Sequence, residues 1–250
     1  MIELFNNNGH KSIMFNDLSV GNMVQATQHI IMDGDEAILL DPGGHKVYAA
    51  LITKMAEAIS SVSKIKYIFF SHQDPDIVAS ANAWMMMTDA KAYLPEIWIR
   101  FISHFGVDDI VLNQITPIPD KGMDITLNGK KLNAIPAHFL HSTGNFQLYD
   151  PESKILYSGD LGASFGQDYD FVESFEDHIQ YLEGFHKRYI ASGDLLKKWA
   201  KMIRKYDIEI IAPQHGAIMK GKDIIEKYLV WLENLKCGID LMDDNLVFKS

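Results

Sequence analysis

Four short apolar runs in this chain each end in an imidazole or a carboxylate, and that recurrence constrains the fold more than any other feature. IKYIFF leads into SHQDPD, NAIPA into HFLHSTG, KILY into SGD and IEIIAP into QHG. Short runs rich in β-branched and aromatic residues, bounded by polar loops, read as buried strands. His72, Asp74 and Asp76 follow the first run, His141 the second, Asp160 the third and His215 the fourth. Residues two apart in an extended segment share a face, so His72, Asp74 and Asp76 can meet in one volume, with Pro75 stiffening the link between the carboxylates. Taken alone, that triplet is equally a polar loop that caps the next helix. The three other strand ends favour one site for two metal ions, assembled in a layered α/β fold.

The intervening segments read as mixed strands and helices. MVQATQHIIM and AILLDPG flank Asp33 and Gly34, a tight hairpin signal, and Asn128 with Gly129 gives a second. HKVYAALITKMAEAISSV, IVASANAWMMMT, EIWIRFISHF, most of Phe171 to Tyr206, and GKDIIEKYLVWLENLKCGIDLM carry helical spacing. AKAYLP, DITL and FQLYD supply further strands. No repeat or Gly/Ser linker divides the chain, so residues 1–250 are expected to form one α/β domain, two mixed sheets face to face and flanked outside by helices.

Composition enters where it limits metal and partner. The lone Cys237 excludes a thiolate cluster, leaving nitrogen and oxygen donors. A net charge of −10, from 33 acidic against 23 basic residues, argues against nucleic acid and against an anionic membrane surface. The N-terminal MIELFNNNGHKS lacks the pattern of a secretion signal, and no apolar run approaches the ~18 residues that span a bilayer. A cytoplasmic protein with no membrane partner is expected.

The order His-x-acid-x-Asp, then His, Asp and His, with Asp41 in the early LLDPG, resembles the metallo-β-lactamase superfamily from about Met23 to about Met219 and implies its αββα sandwich. Hydrolytic members read His-x-His-x-Asp-His, whereas here Asp74 holds the second position and Ile77 the last. The acidic second position is similar to the diiron domain of flavodiiron proteins. AYLPEIWIRF, HFLHSTGNFQLYD and FHKRY are similar to the single-domain oxygen-binding diiron proteins of bacterial chemotaxis systems. The resemblance implies two irons cycling between Fe2+ and Fe3+ with an oxo, hydroxo or peroxo bridge, zinc or manganese as substitutes, and no flavin. It places one iron on His72, Asp74 and His141, the other on Asp76 and His215, and Asp160 between them. The family's usual glutamate is Asp74 here, one methylene shorter. Dioxygen, with nitric oxide as a second candidate, is the implied ligand, a chemotaxis receptor or kinase the implied partner, and a homodimer is compatible with both.

The residue chemistry agrees with that set. Three carboxylates with three neutral imidazoles form a harder, more anionic shell than the nitrogen-rich sets of zinc hydrolases, and they tolerate ions that change charge. Ile77 cannot ligate, which leaves open positions on the metal served by Asp76, Asp160 and His215; it is equally a core residue opening a helix. No flavodoxin-like sequence follows the ligand loops, so an oxygen and iron sensor is expected ahead of an oxygen or nitric oxide reductase fed by a separate flavoprotein or rubredoxin. A zinc hydrolase of thioesters or lactones is disfavoured by Asp74 and Ile77. In supporting roles, Asp41 is read as orienting the ligand loop and His138 as either steadying a ligand or packing. Tyr149 and Tyr157 either offer a hydrogen bond at the site or serve the core. Trp84, Met85, Met86, Met87, Trp98 and Phe101 either wall an oxygen path or, as their helical spacing favours, fill the core. GAIMKGKD nearly matches a phosphate loop, but Asp223 stands where a hydroxyl is needed.

Overall fold

The computed structural model describes residues 1–16 and 18–248. One sheet contains β1 (Ile2–Asn7), β2 (His10–Phe15), β3 (Gln28–Asp33), β4 (Glu36–Leu40), β5 (Ile65–Phe69), β6 (Lys91–Pro95) and β7 (Ile115–Ile118), in that spatial order. Its first four strands are antiparallel and its last four parallel. The second sheet contains β8 (Met123–Leu127), β9 (Lys130–Pro136), β10 (Phe146–Asp150), β11 (Ile155–Gly159), β12 (Ile210–Pro213) and β13 (Met219–Lys220), ordered β13-β12-β11-β10-β9-β8. Only β11 and β12 pair in parallel. Helices α1 (His45–Ala58), α2 (Pro75–Val78) and α3 (Ala81–Met87) cover the first sheet, and α4 (Phe175–Tyr189), α5 (Gly193–Ile203) and α6 (Lys222–Asn234) cover the second.

Strand periodicity sorts the core into three layers. On β3 and β4, Ile30 and Leu39 face α1 while Ile31, Ile38 and Leu40 face the opposite sheet, where they meet Leu148, Ile155 and Ala212. Both faces are covered, so the middle of β3 and all of β4 after Glu36 are apolar, and each fully buried leucine or isoleucine is worth roughly 1.5–3 kcal/mol. Leu182, Leu196, Trp199 and Leu232 bring the outer helices onto the second sheet. Ser174 and Ser192 cap α4 and α5 by accepting the amide N–H of Asp177 and Leu195. The expected αββα sandwich is therefore the observed architecture.

Several elements differ from their sequence reading. β1 and β2 form an N-terminal hairpin around Asn8 and Gly9, both at positive φ (49° and 84°). β1 is an edge strand exposed on one side, so its polar residues hide the alternation; the Asn-Gly pair was the available signal. EIWIRFISHF forms a 3-10 helix, Glu96–Phe105, rather than an α-helix. It is pinned between Pro95, which ends β6, and the left-handed Gly106. The segment after Asp76 breaks into α2 and α3 at Ser80, whose hydroxyl donates to the Gly43 carbonyl at 2.5 Å.

Candidate metal centre

The carboxyl ends of β4, β5, β9, β11 and β12 supply the loops that carry the predicted residues. Asp41 leaves β4 in the left-handed region (φ 44°), with its N–H bonded to the Phe69 carbonyl at 2.9 Å. Its carboxylate accepts the Ser71 N–H at 2.7 Å, and Ser71 Oγ lies 2.9 Å from His72 Nδ1. This chain of contacts turns His72 Nε2 into the cluster, as a carboxylate or hydroxyl behind a ligating histidine does. Burial pushes the Asp41 carboxyl up to about 6, against the Ser71 hydrogen bond and the nearby His72.

Asp74 precedes α2, and Pro75 occupies its first turn, where a fixed φ suits a helix start. The extended alternation expected for His72, Asp74 and Asp76 therefore ends at Asp74, and Asp76 reaches the cluster from the first turn of α2. His141 is itself left-handed (φ 82°), a strain of roughly 1–3 kcal/mol that persists only where surrounding contacts impose it. Here they are the Phe139 N–H to Ser142 carbonyl bond at 2.7 Å and the Ser142 hydroxyl to Gln73 Oε1 bond at 2.5 Å. Asp160 follows Gly159, whose φ of 58° turns the chain at the end of β11. His215 donates from Nδ1 to the Gln25 carbonyl at 2.6 Å.

These placements bring all six side chains together. His141 Nε2 is 2.9 Å from Asp74 Oδ2, and His72 Nε2 is 3.7 Å from the same oxygen. His215 Nε2 is 3.3 Å from Asp76 Oδ2. Asp160 lies between the two groups, with Oδ1 3.7 Å from His72 and 3.6 Å from His215, and Oδ2 3.7 Å from His141. Donor atoms of His72, Asp74, His141 and Asp160 all fall within 4.8 Å of one another.

The cluster demands positive charge. His72 Nε2 and Asp160 Oδ1 are buried with no hydrogen-bond partner, a costly arrangement for polar atoms unless a cation satisfies them. Burial opposes a charge on His215, yet the Asp76 hydrogen bond and the Asp160 carboxylate push it up to about 9. His72 is raised against its burial by Asp160 and Asp74. The Asp74 carboxyl, its burial outweighed by hydrogen bonds from His141 and His72, lies far below the usual carboxylate range. Three imidazoles aimed through Nε2 at three carboxylates form a His/Asp metal-binding group, and the donors fit an ion that accepts nitrogen and oxygen.

Above the cluster lies a cavity of about 760 Å³. Its walls include Met23, Val24, Phe165, Phe185, Arg188 and Tyr189. Phe185 and Tyr189 stack 4.8 Å apart and both contact the His141 ring, while Phe165 contacts the His215 ring at 5.5 Å. These residues were missed by sequence reasoning, although Phe185 and Tyr189 are four apart on α4 and so share one helix face.

The other candidates lie elsewhere. Ile77 is fully buried in the core beneath α2 and does not line the cavity. Trp84 and Met85 are core residues, Met86 and Met87 are exposed, and neither they nor Trp98 and Phe101 wall the site. His138 is turned away, its Nε2 2.9 Å from the Asp120 carbonyl and its ring against Phe146. Tyr149 lies on the helix-facing side of the second sheet, donating to the Asp207 carbonyl at 3.0 Å, because the alternation along β10 sends Leu148 and not Tyr149 between the sheets. Tyr157 is buried between the sheets with Ser12 and His29. Lys222, in the near-match to a phosphate loop, is paired with Asp207 and Glu209.

Known proteins are similar to this chain. A chemotaxis sensor ODP, solved as its peroxy diiron species, is 43% identical with a TM-score of 0.86, covering 96% of this chain and 97% of that one. The apo state of a chemotaxis sensor ODP from T. denticola is 40% identical with a TM-score of 0.83 and covers 96% of each chain. A rubredoxin oxygen:oxidoreductase from Desulfovibrio gigas has a TM-score of 0.78 at 14% identity over 93% of this chain and 61% of its own, a likeness of fold alone. An uncharacterized protein of Methanocaldococcus jannaschii is 33% identical over 207 residues; the match takes in 79% of this chain and spans half the length of that relative. Residues 24–216 match the family described as ODP family beta lactamase. That stretch contains every residue of the cluster, and the chain belongs to the ODP family of β-lactamase-fold proteins.

Proposed function

We propose that this chain holds two irons among His72, Asp74, His141, Asp160, Asp76 and His215 and binds dioxygen there, as a cytoplasmic oxygen sensor that reports to a chemotaxis receptor or kinase. One observation carries the reading: the six side chains divide into two groups, and Asp160 lies 3.6–3.7 Å from imidazoles of both. His72, Asp74 and His141 would hold one ion, Asp76 and His215 the other, and Asp160 would be shared. Paired ferrous ions there would supply the electrons that bound dioxygen accepts.

The remaining work falls to the protein. Asp41, through Ser71, fixes the direction of the His72 ring. Phe165, Phe185 and Tyr189 keep the space above the donors apolar and limit water around a small ligand. The identity of 43% to a chemotaxis sensor over nearly the whole chain supports a sensor over a reductase. Among the described residues no helix is long and apolar enough to cross a membrane.

Anaerobic titration with ferrous iron, followed by absorption spectra on admitting air, tests the reading. Uptake of two irons per chain and a long-lived visible absorption that requires dioxygen are expected. Uptake of a single ion, or the absence of any oxygen-dependent spectrum, overturns it. Steady NADH-driven oxygen consumption with a flavoprotein or rubredoxin donor would assign the chain to the reductases.

A further inference from the structure

We infer that Gln25 is a positioning residue for His215, and that the segment 18–26 that carries it couples this half of the site to the molecular surface. The inference rests on the metal-binding reading above. His215 Nδ1–H donates to the Gln25 main-chain carbonyl at 2.6 Å, and the Gly216 N–H donates to the Gln25 side-chain Oε1 at 3.2 Å. One residue thus grips the ligand loop twice, once with its backbone and once with its amide. Thr27 reinforces the grip, its N–H meeting the Gln214 carbonyl at 2.6 Å and its hydroxyl the Pro213 and Gln214 carbonyls at 3.0 Å.

The loop cannot retreat from Gln25. Ser164 closes its other side, with its N–H on the His215 carbonyl at 3.2 Å and its hydroxyl accepting the Ala217 N–H at 3.1 Å. Gly216 sits at φ 88°, and a Cβ there would come within 2.0 Å of Ser164 Oγ. The ring direction of His215 therefore depends on where Gln25 stands.

Among the described residues, the gripping segment has few internal hydrogen bonds. Its internal hydrogen bonds are Met23 N–H to the Val20 carbonyl at 3.4 Å and Ala26 N–H to the Ser19 hydroxyl at 3.2 Å. Val20 and Val24 are 70% and 59% exposed, while Met23 and Val24 also line the cavity. Leu18 and Ala26 bury the two ends of the segment and Met23 rests against the core, so the exposed stretch between them is tied down chiefly at Gln25; it is ordered by whatever orders the ligand loop, and the coupling is reciprocal. Ion binding at His215 would therefore be read at the surface as a change in the order of residues 18–26.

The experiment titrates ferrous iron anaerobically into wild type, Gln25→Met, which keeps length without an acceptor, and Gln25→Glu, which keeps an acceptor oxygen. Hydrogen–deuterium exchange of residues 18–26 is followed with and without iron. In wild type, iron slows exchange across the segment. Gln25→Met weakens one of the two iron equivalents by about tenfold, the lower end of the range for lost ligand support, and leaves the segment exchanging as fast with iron as without. Gln25→Glu returns both readouts toward wild type. Equal iron affinities in wild type and Gln25→Met, or wild-type exchange in the segment that ignores iron, overturn the inference. A purely structural role for Gln25 would lower Tm without separating the two equivalents. Wild type that binds two irons while the variants behave alike defeats only this inference; wild type that binds fewer than two defeats the diiron reading.

Discussion

The histidine at the centre of one half, His72, is braced by the adjacent Ser71, whereas His215 in the other half leans on a residue 190 positions away. His72 is steadied by the adjacent Ser71, Asp74 follows two residues later, and Asp74 meets His141 at 2.9 Å. On the other side His215 meets Asp76 at 3.3 Å, and the Asp76 side chain is 43% exposed against 31% for Asp74. A locally braced half keeps its geometry when loops move. A half held from a distant, partly exposed segment can respond to its surroundings. That difference suits the proposed division between a closed ion and one with room for dioxygen.

Removing the side chain common to both halves is the most severe test. Asp160→Ala should lower iron from two per chain to less than one, measured by elemental analysis after gel filtration. His141→Ala and His215→Ala should each cost one equivalent, but unequally in consequence. Losing His141 strips the braced half and leaves Asp74 without its 2.9 Å partner, while losing His215 spares that half. The residual iron in His215→Ala should therefore resist a competing chelator better than that in His141→Ala. Equal iron content in all three variants contradicts the division.

Ile77→His sharpens the comparison at the position where hydrolytic relatives carry a ligand. Ile77 is fully buried among Phe70, Val78 and Leu94, so an imidazole there without a partner costs about 1–3 kcal/mol in the iron-free protein. For a domain of this size each kcal/mol lowers Tm by roughly 2–4 °C. If the new ring turns to the His215 half, iron restores most of the lost Tm and the oxygen reaction slows, which is the expected result. A deficit that iron does not repair, with an unchanged oxygen reaction, shows that position 77 does not reach the open ion.

The strand ends were legible because both faces of β11 and β12 are buried, which makes the runs before Asp160 and His215 largely apolar, and β5 likewise ends in the buried Ile68, Phe69 and Phe70 before His72. The ligand residue types were legible for a related reason, since few structural roles place an imidazole or carboxylate at so many buried strand ends. Other features left no local trace. Gln25 acts through its backbone carbonyl and one amide oxygen, neither of which a residue type announces. The roof over the cavity is made by one face of α4 meeting Phe165 from another loop, a contact fixed only by tertiary packing. Sequence left Tyr149 open between the site and the core because strand register, not proximity in sequence to Asp160, decides which face a side chain takes, and the register places it in the core. His138 stands three residues before His141, but the left-handed turns at Phe139 and His141 send the two rings in different directions.

The smallest expected effect concerns a group that serves both halves at once. His186, on α4, donates from Nδ1 to the Leu182 carbonyl at 2.8 Å and accepts the Gly162 N–H at Nε2 at 3.1 Å. A second ring proton would oppose one donor to another, and burial lowers the imidazole to about 4. His29 and His178 are likewise lowered to about 4 by burial. An unfolded histidine titrates near 6.5, so below that pH the unfolded chain takes up protons that the folded chain refuses. The stability these neutral rings contribute is intact above about pH 6.5 and lost as pH falls toward 4, at up to ~1.4 kcal/mol per pH unit for each ring. Urea unfolding of the iron-free protein between pH 6.5 and 4.5 should show this slope, and His186→Gln should reduce it by about one proton. Because α4 also carries Phe185 and Tyr189 beside His141, and Phe185 touches the Phe165 that flanks His215, loosening it at low pH should open both halves together. Exchange in the His141 and His215 loops should then rise in parallel as pH falls, and a rise confined to one loop would show that α4 braces only that half.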